Sequence, residues 1–347
     1  MHYTDGKVCK IGCVVDSSER RRLAYEAALL YYMEDQTMEA IANRMGLSRS
    51  TVSRLVASAR EEGLVRITLH APQEPAATTA SRLGAMYGIN ITIVPVTNPT
   101  SELRRLERVA AMAGAMVSEL VTDGTTIGVA WGTTLSAVSE RLVPKHLERS
   151  TVVQLNGAAN PATTGIPFVG ELLGNFSRAY DAKVMNFPVP AFFDYATTRA
   201  ALWRERSISA VREVGRSVDV AVFGVGAFAS PVASHVYASG YLSNEEVLQL
   251  RKDGVVGDCC TVLVRSDGSY ADIEINSRAS GPTPDELKKI PRRVCVVAGT
   301  AKVPALIGVL NSGAVTDLII DDECAARTLE ESERQWRASE SGAGIGQ

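Results

Sequence analysis

Five short stretches set glycine beside hydroxyl, amide or charged side chains where an apolar run ends. Gly132-Thr133-Thr134 follows Thr126–Trp131 and opens a helical pattern, so backbone N–H groups, two hydroxyls and the positive end of a helix dipole meet at one point. That grouping suits an anion, a phosphate best of all; simple helix capping is the other reading. Gly299-Thr300-Ala301-Lys302 repeats the arrangement after Val294–Ala298 and adds an ammonium group that either reaches the same anion or stays solvated. Asn156, in Gln154-Leu155-Asn156-Gly157, is placed to meet a ligand hydroxyl such as a sugar's, or to shape a polar turn. Asp258, in Val256-Gly257-Asp258, accepts from such hydroxyls or holds a turn. Gly224-Val225-Gly226 lets backbone approach a ligand closely, but Ala229 stands where a dinucleotide fingerprint needs its third glycine, so a nicotinamide cofactor is not expected.

A separate cluster lies near the front of the chain. Within 44–66 the arginines Arg44, Arg49, Arg54, Arg60 and Arg66 face only Glu61 and Glu62. Thr37 can cap a short helix, MEAIANRM, which Gly46 ends by taking a left-handed backbone; Ser48 can cap the next, RSTVSRLVASAREEG, closed by Gly63. Upstream, Leu23, Ala27, Leu30 and Tyr31 recur at helical spacing within Glu19–Met33. Ala42 is small where two helices must cross, and Ile41, Met45, Leu47, Val52 and Leu55 fill inward positions. Arg49, Ser50, Ser53 and Arg54 are left pointing outward from the start of the last helix, as in a helix-turn-helix whose second helix lies in the DNA major groove. With Ser48 beside them, and Arg44, Arg60 and Arg66 suited to phosphates, these form the expected DNA-contacting set. Alternation over Leu64–Leu69 predicts a following strand, the wing of a winged variant. A surface helical hairpin with solvated arginines is the alternative.

The remaining elements must hold the first group of residues together. Prolines and sparse apolar content over 70–79 mark a boundary. Beyond it, short β-branched runs alternate with helical patterns: Ile91–Val94, a helix over Ser101–Val121, Thr126–Val129, a helix from Thr133, Thr151–Leu155, a helix near Phe168–Tyr180 and Val184–Phe187. Val218–Phe223, Val294–Ala298, a helix over Pro304–Leu310 and Leu318–Ile320 complete the series. Continuous apolar runs between helices predict a parallel sheet covered on both faces, with ligands bound beyond the carboxyl ends of its strands. Ser266-Asp267-Gly268-Ser269 reads as a hairpin turn inserted near the edge. The expected organisation is α/β overall: an all-α helix-turn-helix domain over 1–70, a linker over 71–80, a parallel-sheet domain over 81–330 and a frayed polar tail over 331–347.

Totals narrow the function classes. Hydrophobic residues at 46% and charged residues at 22% describe a globular chain rather than a disordered one. A net charge of −3 argues against indiscriminate coating of nucleic acid, so contact with DNA must be local; 1–70 holds ten Lys/Arg against nine Asp/Glu, and the rest is acidic. No apolar run is long enough for a membrane span and the N-terminus lacks a signal-peptide pattern, so a cytoplasmic location is expected. Cys9, Cys13, Cys259, Cys260, Cys295 and Cys324 include no CxxC pair and read as reduced thiols, the vicinal pair as small core side chains. Neither a metal site nor a cofactor is expected.

The ordered series formed by the helix-turn-helix at 37–63, Gly128-Val129-Ala130-Trp131-Gly132-Thr133-Thr134, Val153-Gln154-Leu155-Asn156-Gly157, Phe223-Gly224-Val225-Gly226, Gly257-Asp258, Gly299-Thr300-Ala301-Lys302 and Leu318-Ile319-Ile320-Asp321-Asp322-Glu323 resembles the SorC family of sugar-binding transcriptional regulators, which includes regulators of central glycolytic genes and of deoxyribonucleoside use. The likeness spans about residues 20–328. It implies a C-terminal domain related to ribose-5-phosphate isomerase and glucosamine-6-phosphate deaminase that works as a sensor. It also implies phosphate contacts at Thr133, Thr134 and Lys302, Asn156 and Asp258 near the sugar, a homodimer or homotetramer, and DNA affinity controlled by a phosphorylated sugar. Gly132, Gly224 and Gly226 complete the expected effector site. Cys259-Cys260 and Ala158-Ala159-Asn160 depart from the family's usual small or glycine-rich residues. The alternative is a sugar-phosphate isomerase or deaminase with an appended helical module, but no histidine lies in a ligand-facing motif; for a nucleotide-binding or scaffolding protein the sequence offers no GxxxxGK[ST] loop, and that reading leaves the helix-turn-helix unexplained.

Overall fold

A helix needs something to stop it as well as something to bury, and the front of the chain supplies both. The computed structural model describes residues 17–65, 75–96, 101–160, 166–228, 235–238 and 240–343. It divides into two compact units, Met1–Pro72 and Gln73–Gln347.

In the first unit, α1 (Ser17–Tyr32), α2 (Met38–Met45) and α3 (Arg49–Glu61) pack around Ala24, Ala27, Leu30, Ile41, Ala42, Val52, Leu55, Val56 and Ala59. Alanine at five of the contact positions lets the helices cross closely. The Thr37 hydroxyl accepts from the Ala40 N–H at 3.2 Å and the Ser48 hydroxyl from Thr51 N–H at 3.1 Å, so each helix start is capped. Between them Gly46 takes φ +66°, which lets the chain reverse in three residues. Leu64 and Val65 pack partly against this core, while the expected strand from Arg66 onward lies outside the described residues.

The second unit begins with α4 (Pro75–Tyr87), β1 (Asn90–Val94), α5 (Glu102–Leu120), β2 (Thr126–Val129), α6 (Thr133–Ser139), β3 (Thr151–Gln154), α7 (Ile166–Tyr180) and β4 (Lys183–Met185). There follow α8 (Ala196–Leu202), α9 (Arg206–Arg216), β5 (Val220–Ala227), α10 (His235–Ala238), α11 (Asn244–Lys252) and the strands β6 (Val255–Cys259) and β7 (Val262–Arg265). The unit closes with α12 (Pro284–Leu287), β8 (Arg292–Val297), α13 (Val303–Asn311), β9 (Asp317–Asp321) and α14 (Asp322–Ala343). Seven strands run parallel in the order β1-β9-β8-β5-β2-β3-β4. Successive residues of one strand point to opposite faces, and both faces are buried: Val294 and Val296 of β8 join the core under α5 and α7, whereas Cys295 and Val297 join the core under α13 and α14.

Strand β5 serves two partners. Its first residues, Val220–Gly224, pair with β8, and its last, Val225–Ala227, pair antiparallel with β6, so the hairpin β6–β7 hangs on the carboxyl end of the sheet.

Three expectations need correcting. The hairpin reverses at Cys260-Thr261, both in left-handed backbone (φ +51° and +69°), and not at 266–269, which is a tight turn beyond β7 with Gly268 at φ +85°. The 71–80 linker is already helical from Pro75, because proline is tolerated in a first helical turn. The polar tail from 331 continues α14 through Ala343: its buried stripe of Cys324, Ala325, Thr328, Leu329 and Ser332 is too small and polar to read as apolar, yet Ser332 bonds the Tyr87 hydroxyl at 2.7 Å and Arg82 of α4 pairs with Glu333.

The hairpin's docking depends on Gly257, where a methyl group would stand 2.2 Å from the Gly226 carbonyl oxygen and 2.4 Å from the Ala305 Cβ. Gly257→Ala is therefore expected to destabilise the fold by about 2 kcal/mol or more, read as a fall in the midpoint of urea unfolding.

Candidate functional site

Chain order places a crevice in the middle of the sheet. From β2 the chain moves outward through β3 and β4, whereas β5, β8 and β9 lie on the other side of β2, so the strand order reverses between β2 and β5. Loops leaving the carboxyl ends there diverge and leave a gap. A small cleft occupies it. The structure brings all eight expected effector residues to this one cleft: Gly132, Thr133, Thr134, Asn156, Gly224, Gly226, Asp258 and Lys302.

Lys302 ends a short 3-10 turn, Thr300–Lys302, and is only 6% exposed. Its ammonium donates to the Thr134 hydroxyl at 3.1 Å, and among the described residues no carboxylate lies within ion-pair distance of it. Burial pulls its pKa down, offset in part by Cys324, Cys295, Glu102 and Asp258. A buried cation without a counter-ion is costly, and an anion in the cleft is what would relieve it. The turn itself is held by Asp321 at the end of β9. That carboxylate is fully buried and accepts from the Gly299 N–H at 2.8 Å, the Cys324 N–H at 2.9 Å and the Arg105 guanidinium at 2.6 Å. Arg105 also reaches Glu323 at 2.7 Å.

The opposite wall carries Asp258, on β6 beside Gly226. One of its oxygens accepts from the Thr261 N–H at 3.1 Å; the other, Oδ1, completes no hydrogen bond among the described residues, although the Tyr237 hydroxyl lies close to the carboxylate. Asn156 Oδ1 and the Tyr237 hydroxyl are likewise buried without a completed hydrogen bond, although Tyr237 and Asp258 are close enough to perturb one another. Buried polar atoms left open together point to a ligand that bonds them. The Asn156 loop is rigid: the Trp131 indole donates to the Gly157 carbonyl at 2.7 Å and stacks on Tyr241 at 5.5 Å, and the Tyr241 hydroxyl donates to the Ala158 carbonyl at 2.6 Å. At Gly224 a methyl would meet its nearest neighbours at an ordinary 3.5 Å, so packing alone does not demand glycine there; its absence of a side chain leaves cleft volume free.

Sequence reasoning singled out none of Trp131, Tyr241, Tyr237, Cys260, Thr261, Arg105 and Asp321 as site residues. For Asp321 a signal exists: a carboxylate that ends an apolar strand in a buried sheet must be paired. For the turn at Cys260-Thr261 there is none, since hairpin chemistry at φ > 0 favours Asn-Gly and not these residues. The four described cysteines are free and buried, and burial pushes Cys295 and Cys324 up, which disfavours reactive thiolates; Cys9 and Cys13 lie outside the described residues.

In the first unit, Val52, Leu55, Val56 and Ala59 of α3 face the core while Arg49, Ser50, Ser53 and Arg54 share the exposed side, and Arg60 is exposed farther along. The Ser48 hydroxyl is engaged in capping and bonds the Ser50 hydroxyl at 2.9 Å, Arg44 pairs with Glu34 at 3.1 Å, and Arg54 Nε donates to the Ser50 carbonyl at 3.3 Å. Arg66 lies outside the described residues.

Comparison with known proteins agrees with this division. A sugar-binding domain family model (Sugar-bind) matches residues 72–330 and a MarR family model matches 28–73. The chain is 31% identical over 312 residues to the deoxyribonucleoside regulator of Bacillus subtilis, covering 90% of this chain and 98% of that one. A crystallised domain of "a possible sugar-binding transcriptional regulator" from Arthrobacter aurescens TC1 shares 43% identity with a TM-score of 0.70, over 75% of this chain and all of that one. The full-length sorbitol operon regulator SorC from Klebsiella pneumoniae, at 22% identity and a TM-score of 0.66, has the same fold over 89% of this chain and 99% of its own.

Burial raises the Asp258 carboxyl from 3.8 to about 6, against the opposing pull of Tyr237, Thr261 and Lys302. The folded state therefore holds this proton more tightly than the unfolded chain does. The associated stability is present in full below the ordinary value of 3.8 and is lost as pH rises through about 6. Its size is about 2 to 3 kcal/mol. Urea unfolding on either side of that range should show this slope in the ligand-free protein, and Asp258→Asn should flatten it.

Proposed function

Given that the chain belongs to the SorC family of sugar-binding transcriptional regulators, we propose that its effector is a phosphorylated sugar held between Thr134–Lys302 and Asn156–Asp258. The carrying observation is the buried Lys302 ammonium, with no carboxylate within ion-pair distance among the described residues. In this reading the phosphate takes the ammonium, the Thr133 and Thr134 hydroxyls and the amides at the start of α6. The sugar hydroxyls meet Asn156 Oδ1 and Asp258 Oδ1, the two open acceptors, while Gly224 and Gly226 admit the ring.

The exposed side of α3 supports an operator contact in which Arg49, Ser50, Ser53 and Arg54 address base edges and Arg60 a phosphate; Ser48 acts by fixing the helix start, and Arg44 through its pairing with Glu34. Action as a homodimer or homotetramer follows from the two-fold symmetry of paired half-sites. An effector that binds the DNA-competent and DNA-incompetent forms unequally shifts the population between them. The cleft acts by binding without turnover, as expected from relatives that are named as regulators. Bacterial relatives of this kind support action in the cytoplasm, and no described helix is long and apolar enough to cross a membrane.

The Bacillus subtilis relative is named for deoxyribonucleosides, so deoxyribose and ribose phosphates head a thermal-shift screen, with the unphosphorylated sugars as controls. A melting-temperature rise with a phosphosugar and none with its parent sugar is expected; equal rises with both would overturn the phosphate assignment. Lys302→Met should abolish the rise while stabilising the ligand-free protein by about 1 to 3 kcal/mol, because an uncompensated buried charge is removed. On the DNA side, Arg49→Ala or Arg54→Ala is expected to weaken operator binding by about tenfold or more, measured by fluorescence anisotropy, with the sugar-dependent melting shift intact.

A further inference from the structure

A second cleft opens beside the carboxyl end of β3, bordered by α8, α9 and the segment 280–290. It shares no lining residue with the first. Its charge is unbalanced. Arg199, Arg212 and Arg216 line it, and Glu286 is the acidic residue among its lining. Both Glu286 oxygens are already occupied: Oε1 accepts from Arg216 Nε at 3.2 Å and from its terminal nitrogen at 2.9 Å, and Oε2 accepts from the Thr283 N–H at 3.1 Å. Arg212 approaches Glu286 no nearer than 3.9 Å and makes no hydrogen bond among the described residues. Arg199 donates to the Ser277 carbonyl at 3.1 Å, and its buried Nε has no partner.

The two under-used guanidinium groups are nonetheless fixed in place. Arg199 and Arg212 lie over the Trp203 ring at 5.2 and 4.7 Å from its centroid, and Trp203 is itself wedged between Phe187 and Phe193. Stacking of this kind orients a planar donor fork without consuming its N–H groups. Burial, then the like charge of Arg216, lowers the Arg212 pKa to about 10, the mark of cations gathered without enough anion. A structural ion pair would need one guanidinium for Glu286; three are present.

We propose that this second cleft binds a small dianion, a phosphate or dicarboxylate group, between the stacked forks of Arg199 and Arg212 and the rim residue Arg216. The proposal stands apart from the reading of the first cleft, because the arginines tested here touch none of its residues.

The test is calorimetric titration of the full-length chain with inorganic phosphate and, separately, with malonate. Lys302→Met closes the first cleft, so dianion binding that survives in this variant reports on the second. One dianion per protomer is expected to remain, and addition of Arg212→Gln should weaken it at least about tenfold, the effect of one lost charge-assisted contact. Binding of phosphate alone, malonate alone or both supports the site and tells which group it takes. No binding to Lys302→Met, or binding indifferent to Arg212→Gln, overturns it. Should the double variant fail to fold, Arg216→Gln, whose side chain is half exposed at the rim, replaces Arg212→Gln under the same criterion. If Arg212→Gln changes the oligomeric state and leaves dianion binding untouched, the arginines belong to a subunit contact and the proposal falls.

Discussion

A positive charge kept out of water must be answered by something, and among the described residues of the larger unit no carboxylate comes within ion-pair distance of Lys302. Its ammonium donates to the Thr134 hydroxyl, and Glu102 and Asp258 act on it only from farther away. Keeping it there takes a scaffold of its own: Asp321, fully buried, grips the amide of Gly299 on one side and Arg105 on the other, so the turn carrying the lysine cannot relax outward. A buried ion pair is thus used to hold a second buried charge beside it. The first stabilises the turn, and the second sets a buried positive charge at the wall of the cleft.

The other wall has the same logic with the sign reversed. Asp258 is a buried acceptor with one oxygen bonded and one open, and Asn156 offers a second open oxygen. A cation stands on one side of the cleft and acceptors on the other, the complementarity on which the proposed phosphosugar rests. Fold and chemistry meet at β5, which belongs to the parallel sheet at its start and to the hairpin at its end, so the distance between the two walls is set by one continuous strand.

Much of this was legible in the residues. Helix starts at Thr37, Ser48, Ser101 and Thr133 could be located because caps and glycine turns act locally, and the parallel strands because runs such as Val294–Ala298 are apolar on both faces. The eight cleft residues could be named because each follows a strand or borders a glycine. What escaped depended on partners distant in sequence. The turn at Cys260-Thr261 is a left-handed reversal by residues that rarely choose it, stabilised by Asp258 and by packing of Gly281 against the Cys260 carbonyl. α14 hides its buried stripe because Thr328 and Ser332 satisfy their hydroxyls on Cys324 and Tyr87. The second cleft is invisible in sequence because Arg199, Arg212 and Glu286 meet only through the tertiary fold.

Thr134 and Lys302 bond across 168 residues of sequence, and the carboxylate that holds the lysine turn comes later still, at the end of the last strand. A growing chain on the ribosome therefore completes its helix-turn-helix long before it can assemble the cleft. The DNA-reading part precedes the sensing part, which becomes competent only once β9 has been made, so truncation anywhere ahead of β9 would leave a fragment deaf to its signal.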